Sequence, residues 1–108
     1  MDWIQKIREC FESDSVVYSR HAKLEMENEE FGRIFEKEVY EAICSGEVIE
    51  EYIDDKPYPS VLIYGTTTEN RPLHTVCAYD KVENLVIVVT VYHPNPELWI
   101  DYRRRKRS

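Results

Sequence analysis

Glycine is scarce in this chain, with three in 108 residues, and that scarcity removes a class of function. Loops that cradle nucleotide phosphates with backbone amides need several glycines, and neither a P-loop nor a dinucleotide fingerprint occurs. Cysteine is as sparse. Cys10, Cys44 and Cys77 are odd in number and far apart, with no Cys-x-x-Cys pair. A disulfide framework or a zinc knuckle is therefore not expected, and each cysteine sits among apolar residues as a small packing group. No apolar run is long enough to cross a bilayer. The N-terminus (Met-Asp-Trp-Ile-Gln-Lys) lacks the basic-then-apolar pattern of a secretory signal. These readings predict a cytoplasmic protein with no membrane partner. Positive charge is also missing from most of the chain. Net charge is −7, yet residues 103–107 (Arg-Arg-Arg-Lys-Arg) carry +5, which leaves −12 over residues 1–102.

What remains is a folded-domain composition, 43% hydrophobic and 32% charged, matched to one domain over residues 1–108. The basic residues from about 103 to 108 read as a C-terminal tail, either solvated or in contact with an anion. Trp3, Ile4, Ile7, Cys10 and Phe11 recur at helical spacing and predict a first amphipathic helix. Val16-Val17-Tyr18 is too short to assign. Ser19 is placed to cap a second helix from Arg20 to about Glu29, whose acidic run (Glu25, Glu27, Glu29, Glu30) reads as a solvated face. Phe35, Val39, Ala42 and Ile43 predict a third helix, with Gly46 at its C-cap. The period then changes to two. Strands are predicted at Val48–Ile53, Ser60–Thr67, Leu73–Tyr79 and Leu85–Tyr92, joined by turns short enough for hairpins. Leu85–Val89 is apolar on both faces, as for a central strand or one packed under the C-terminal segment. Pro94 and Pro96 end the last strand, and Glu97–Tyr102 is expected to form a helical turn. The fold class is α+β, with two or three N-terminal helices on a four-stranded antiparallel sheet.

The candidates for chemistry are few. His21 opens the second helix beside Arg20, and His74 sits inside a strand where imidazole is unusual, as a satisfied core residue or as a group aimed into a site. His21, Glu25 and His74 make a chemically sensible metal set, but their spacing matches no known motif, so no metal or other cofactor is expected. Metal-free RNA cleavage needs a base for the 2′-hydroxyl, a cation on the phosphorane and an acid for the leaving oxygen. His21, His74 and Tyr92 are the candidate catalytic residues, and Arg71, Arg103 and Arg104 the candidate RNA-binding ones. The acidic surface supports an alternative reading, a non-catalytic protein-binding module.

Five segments occur in an order that resembles the prokaryotic family known as domain of unknown function 4258. They are Tyr18-Ser19-Arg20-His21-Ala22 with Leu24-Glu25-Met26, and Val39–Ile43 running into Gly46-Glu47-Val48-Ile49-Glu50. Pro57-Tyr58-Pro59-Ser60 with Leu62 and Gly65, Arg71-Pro72-Leu73-His74-Thr75-Val76, and Val91-Tyr92-His93-Pro94-Asn95-Pro96-Glu97-Leu98-Trp99 complete the set. That family in turn resembles divergent RelE-like toxins. The resemblance implies a RelE-like fold, a metal-independent ribonuclease toxin of a toxin–antitoxin pair, RNA or the ribosome as target and a small antitoxin protein as partner. It places the family's polar residues at His21, His74, Tyr92, Trp99, Arg71 and Arg103. The chain departs from it in a longer connection over Asn28–Lys37 and in its acidity, since RelE-like toxins are generally basic.

Overall fold

The computed structural model describes residues 1–107; Ser108, the last residue of the expected basic tail, lies outside them. Three helices form one layer against a mostly antiparallel sheet. Helix α1 (Trp3–Glu12) starts where the Asp2 carboxylate accepts from the Gln5 amide, and it buries Ile7 and Cys10. Strand β1 (Val16–Tyr18) follows. Helix α2 (Arg20–Asn28) is capped as expected, the Ser19 hydroxyl accepting from the Ala22 amide at 3.0 Å. Helix α3 (Glu36–Ser45) begins with the Glu38 carboxylate accepting from the Phe35 amide. Gly46 does follow α3, but in extended backbone rather than the left-handed form. Its requirement is steric: a Cβ there would lie 2.7 Å from the Ala42 carbonyl oxygen.

Strands β2 (Glu47–Tyr52), β3 (Ser60–Thr66), β4 (Pro72–Asp80) and β5 (Leu85–Tyr92) form the predicted antiparallel meander. The sheet nevertheless has five strands, because β1 pairs in parallel with β5 through Val16–Val86, Val17–Ile87 and Tyr18–Val88. The expected four-stranded antiparallel sheet is corrected on that point. Three residues are too short a run for periodicity to show, and β1 is held by its partner rather than by its own pattern. The β1 pairing makes β5 an inner strand between β1 and β4, and within β5 Val86 and Val88 are buried while Val89 is exposed. Val86, Val88 and Val91 join Leu73, Cys77, Val61 and Ile63 under the helices.

Three further expectations change. Cys10 and Cys77 are buried, but Cys44 is exposed and does not pack as the other two do. Residues 97–102 do not form a helical turn. The chain makes a small hairpin instead, β6 (Trp99–Ile100) against β7 (Arg104–Arg105), turning through Asp101 and Tyr102 at φ 53° and 62°. The acidic face of α2 is not simply solvated. Beyond Tyr18 the edge of β5 has no strand neighbour, and there the Glu25 carboxylate accepts from the Val91 amide at 3.0 Å. One turn on, Glu29 accepts from the His93 amide at 2.7 Å. Two carboxylates at i,i+4 thus satisfy amides that would otherwise face no acceptor. Among the described residues no helix is long and apolar enough to cross a membrane.

Candidate functional site

Strand alternation and the observed register bring four side chains into one row on the sheet face opposite the helices. Glu47 of β2 pairs with Tyr64 of β3, Tyr64 with His74 of β4, and His74 with Tyr92 of β5. Glu50 and Tyr52 lie further along β2 on the same face. The β6–β7 hairpin closes over this row, with Trp99 and His74 rings edge to face at 4.4 Å.

His74 is fully buried. Its Nε2 lies 2.6 Å from the Tyr102 carbonyl oxygen, which can only accept, so Nε2 carries the proton. Nδ1 is then the acceptor, and the Tyr92 hydroxyl donates to it at 3.1 Å. The neutral tautomer is set by its two partners. Burial pushes the His74 pKa below its ordinary value, against smaller opposing effects of the Tyr102 carbonyl and Glu50. Burial likewise raises the Tyr92 hydroxyl to about 12, so the phenol stays protonated at neutral pH.

The basic residues divide by direction. Arg105 sits 4.7 Å over the Trp99 ring and donates through Nε (2.9 Å) and Nη2 (3.2 Å) to the Glu50 carboxylate. Arg103 sits 4.9 Å over Tyr64 and pairs with Glu47. Burial alone would raise Glu50, but hydrogen bonds from Arg105 and Tyr52 outweigh it and hold the carboxyl below its usual range. Arg104, between the two, is exposed and has no side-chain partner among the described residues. Within the basic segment, Arg103 and Arg105 are thus paired with carboxylates of β2.

The other candidates stand apart. His21 is exposed at the start of α2, its Nε2 3.5 Å from Glu25 Oε1. That same oxygen also accepts from Thr90 and from the Val91 amide. His21 therefore reaches the edge of β5 through Glu25 and makes no contact with His74. Arg71 points to the helix side, where it donates to the carbonyls of Gly32 and Arg33 and to Glu38, pinning the loop between α2 and α3. The chain thus unites His74, Tyr92 and Arg103, and leaves His21, Arg71 and Arg104 outside that cluster. Among the described residues no group of three or more His, Cys, Asp or Glu side chains could hold a metal ion.

Sequence reasoning did not single out Glu47, Glu50, Tyr52, Tyr64 or Arg105. Strict alternation would send Glu47 and Glu50 to opposite faces, and only the register shift between Val48 and Glu50 puts both on the face that meets Arg103 and Arg105. The pairing became legible only once the hairpin was known to fold back.

The family model described as "Domain of unknown function (DUF4258)" matches residues 18–93. The chain belongs to this family. No curated protein and no solved structure matches it. The DUF4258 match takes in His21, Glu25, Glu47, Glu50, His74 and Tyr92, while the β6–β7 hairpin lies beyond it.

The state of His74 has a consequence for this DUF4258 chain. Because its folded pKa is lowered, the unfolded chain takes up a proton first as pH falls. The stability that neutral His74 contributes is complete above its ordinary value of 6.5 and declines below it. The urea midpoint is expected to drop between pH 7.5 and 5.5, and His74→Gln to flatten that drop. Equal drops in the two proteins would show that His74 is not the group responsible.

Proposed function

We propose that this chain is a metal-independent ribonuclease of a toxin–antitoxin pair, acting on RNA by acid/base chemistry with a small antitoxin protein as its partner. The observation that carries the reading is the Tyr92–His74 hydrogen bond at 3.1 Å on the rigid centre of the sheet, with Arg103 and Arg105 beside it. The Tyr92 phenol is protonated at neutral pH and held in place by His74 Nδ1. To act as the acid its O–H turns from Nδ1 to the leaving oxygen, and the phenolate left behind regains a proton from water. Guanidinium groups supply the charge that a phosphorane requires. The resemblance to RelE-like toxins supports the same assignment, and His21 with Glu25 stands at the margin as a second acid/base group.

A second reading has an observation of its own. His74 is inaccessible, and both ring nitrogens are bonded within the protein, as in a non-catalytic binding module or a degenerate toxin. Induced expression separates the two. The wild type is expected to slow growth and cleave RNA in the presence of EDTA, with co-expression of the neighbouring gene product relieving both effects. Tyr92→Phe, which removes one hydroxyl, should lower cleavage by about 10²-fold. If the wild type neither slows growth nor cleaves RNA, and Tyr92→Phe is indistinguishable from it, the module reading stands.

A further inference from the structure

The arginines at 103 and 105 share one arrangement. Each guanidinium lies over an aromatic ring, Arg103 over Tyr64 at 4.9 Å and Arg105 over Trp99 at 4.7 Å. Each is also held by a carboxylate from β2, Glu47 for the first and Glu50 for the second. A carboxylate offers a guanidinium the same oxygen geometry as a phosphate, and bidentate arginine recognises either. The Arg105–Glu50 contact is of this two-point kind. Arg103, at the end of the hairpin turn, and Arg105, on β7, both reach β2 carboxylates on the sheet face that carries His74.

We infer that Arg103 and Arg105 form a two-point phosphodiester site for single-stranded RNA, occupied in the resting protein by Glu47 and Glu50 of the same chain. The inference rests on the RNA-directed reading above and adds which cations make the contact and what blocks them. RNA binds by exchange, with two backbone phosphates replacing the two carboxylates on guanidinium groups that are already positioned. The side chains of both arginines are more than half exposed, at 51% and 63%, so each is reachable from solvent. Arg103–Glu47 is the more weakly held pair, since Glu47 is 51% exposed and Glu50 only 24%. Preformed stacks of arginine on Tyr64 and Trp99 keep the guanidinium groups from collapsing elsewhere once the carboxylates leave. The exchange also accounts for a local RNA contact on an acidic protein, since self-pairing suppresses indiscriminate binding and only a repeating polyanion engages both points. An acidic peptide is the other polyanion that could do so. The two exposed guanidinium groups stacked on aromatic rings favour a nucleic acid, whose bases can also stack, over a peptide.

The test is binding of a non-cleavable 2′-O-methyl oligoribonucleotide by fluorescence anisotropy at several salt concentrations. Glu47→Gln/Glu50→Gln is compared with Glu30→Gln/Glu83→Gln, which changes net charge equally at two exposed carboxylates. The first double variant is expected to bind about tenfold more tightly than the second. Its slope of log K against log salt should also be steeper, because no released carboxylates take up cations while the RNA gives its own up. Arg103→Ala/Arg105→Ala, confirmed folded by circular dichroism, should lose most binding. Equal affinity and slope in the two glutamine variants would overturn the proposal, as would undiminished binding without the two arginines. Displacement by poly-glutamate as readily as by unlabelled oligonucleotide would overturn it in favour of an acidic peptide. Because the probe cannot be cleaved, the readings fail separately. Cleavage of RNA in cells with binding indifferent to these residues sinks only this inference, whereas binding as described without any cleavage supports it and sinks only the enzyme.

Discussion

Gly65→Ala is expected to prevent accumulation of folded protein, or to lower its stability by about 4 kcal/mol or more. Gly65 lies on β3 where α3 crosses the sheet, and a Cβ built there would come within 1.8 Å of the Ala42 carbonyl oxygen and 2.7 Å of its carbon. Those are backbone atoms of the helix, so the clash is relieved only by lifting α3 away from β3. The helix cannot shift freely, because the Ser45 hydroxyl donates to the Thr66 carbonyl at 2.9 Å and accepts from its amide at 3.0 Å. Val39, Ala42 and Ile43 are buried in the same contact. Two of the three glycines, Gly46 and Gly65, meet the Ala42 carbonyl. The control is Gly32→Ala, where φ is +109° and nothing lies within 4 Å of the added methyl. There only backbone strain is at stake, about 1 kcal/mol. Soluble yield and urea midpoints of the two variants check the prediction. A Gly65→Ala protein as stable as Gly32→Ala would mean that α3 does not approach β3 this closely.

His74→Ala is expected to cost roughly 3–5 kcal/mol, a large share of the 5–15 kcal/mol typical of a domain. The ring is fully buried against Trp99, Tyr92 and Tyr64, so truncation leaves a cavity. It also removes the donor to the Tyr102 carbonyl and the acceptor of the Tyr92 hydroxyl, and a polar group left unpaired on burial adds to the loss. The effect should be uneven. Asp101 and Tyr102 hold left-handed backbone, a strained conformation for a tyrosine that persists only when its surroundings enforce it. Without His74, the hairpin should loosen before the sheet does. Hydrogen exchange at the Lys106 amide, which donates to the Leu98 carbonyl at 2.9 Å, should quicken far more than exchange in β3 and β4. Uniform quickening would show that His74 supports the whole core rather than the hairpin. The same coupling changes what a truncation means: removing residues 103–107 deletes the partners of Glu47 and Glu50 and half of the hairpin, so it is not a neutral trim of a tail.

Long, strongly patterned elements were legible without coordinates. The apolar stripe of α1, the Ser19 cap of α2 and the four strands of the meander agree with the structure to within about two residues at most ends. What escaped was short or depended on a distant partner. β1 has three residues, and β6 and β7 two each, below the length at which any period can be counted. Glu25 and Glu29 look like any solvated acids until α2 is laid along the open edge of β5. His74 could be recognised as anomalous, because imidazole in an apolar strand asks for partners. Its partners could not be named, because one of them is the carbonyl of Tyr102, a backbone group without a sequence signature.

Sequence by itself determined the α+β class, the order of helices before strands, the membership of His74 and Tyr92 in neighbouring strands, and the concentration of positive charge at residues 103–107. These follow from periodicity, capping chemistry and composition, which are local. Only the tertiary structure decided that His74 and Tyr92 pair directly, that His21 stands apart at the edge of β5, and that Arg71 serves the helix side. It also decided that the basic run is divided, Arg103 and Arg105 inward on Glu47 and Glu50 and Arg104 outward. The reason is register and chain reversal. A strand sends alternate residues to opposite faces, and which face meets a carboxylate depends on where the hairpin lands on the sheet, a property of the folded chain and not of any one segment.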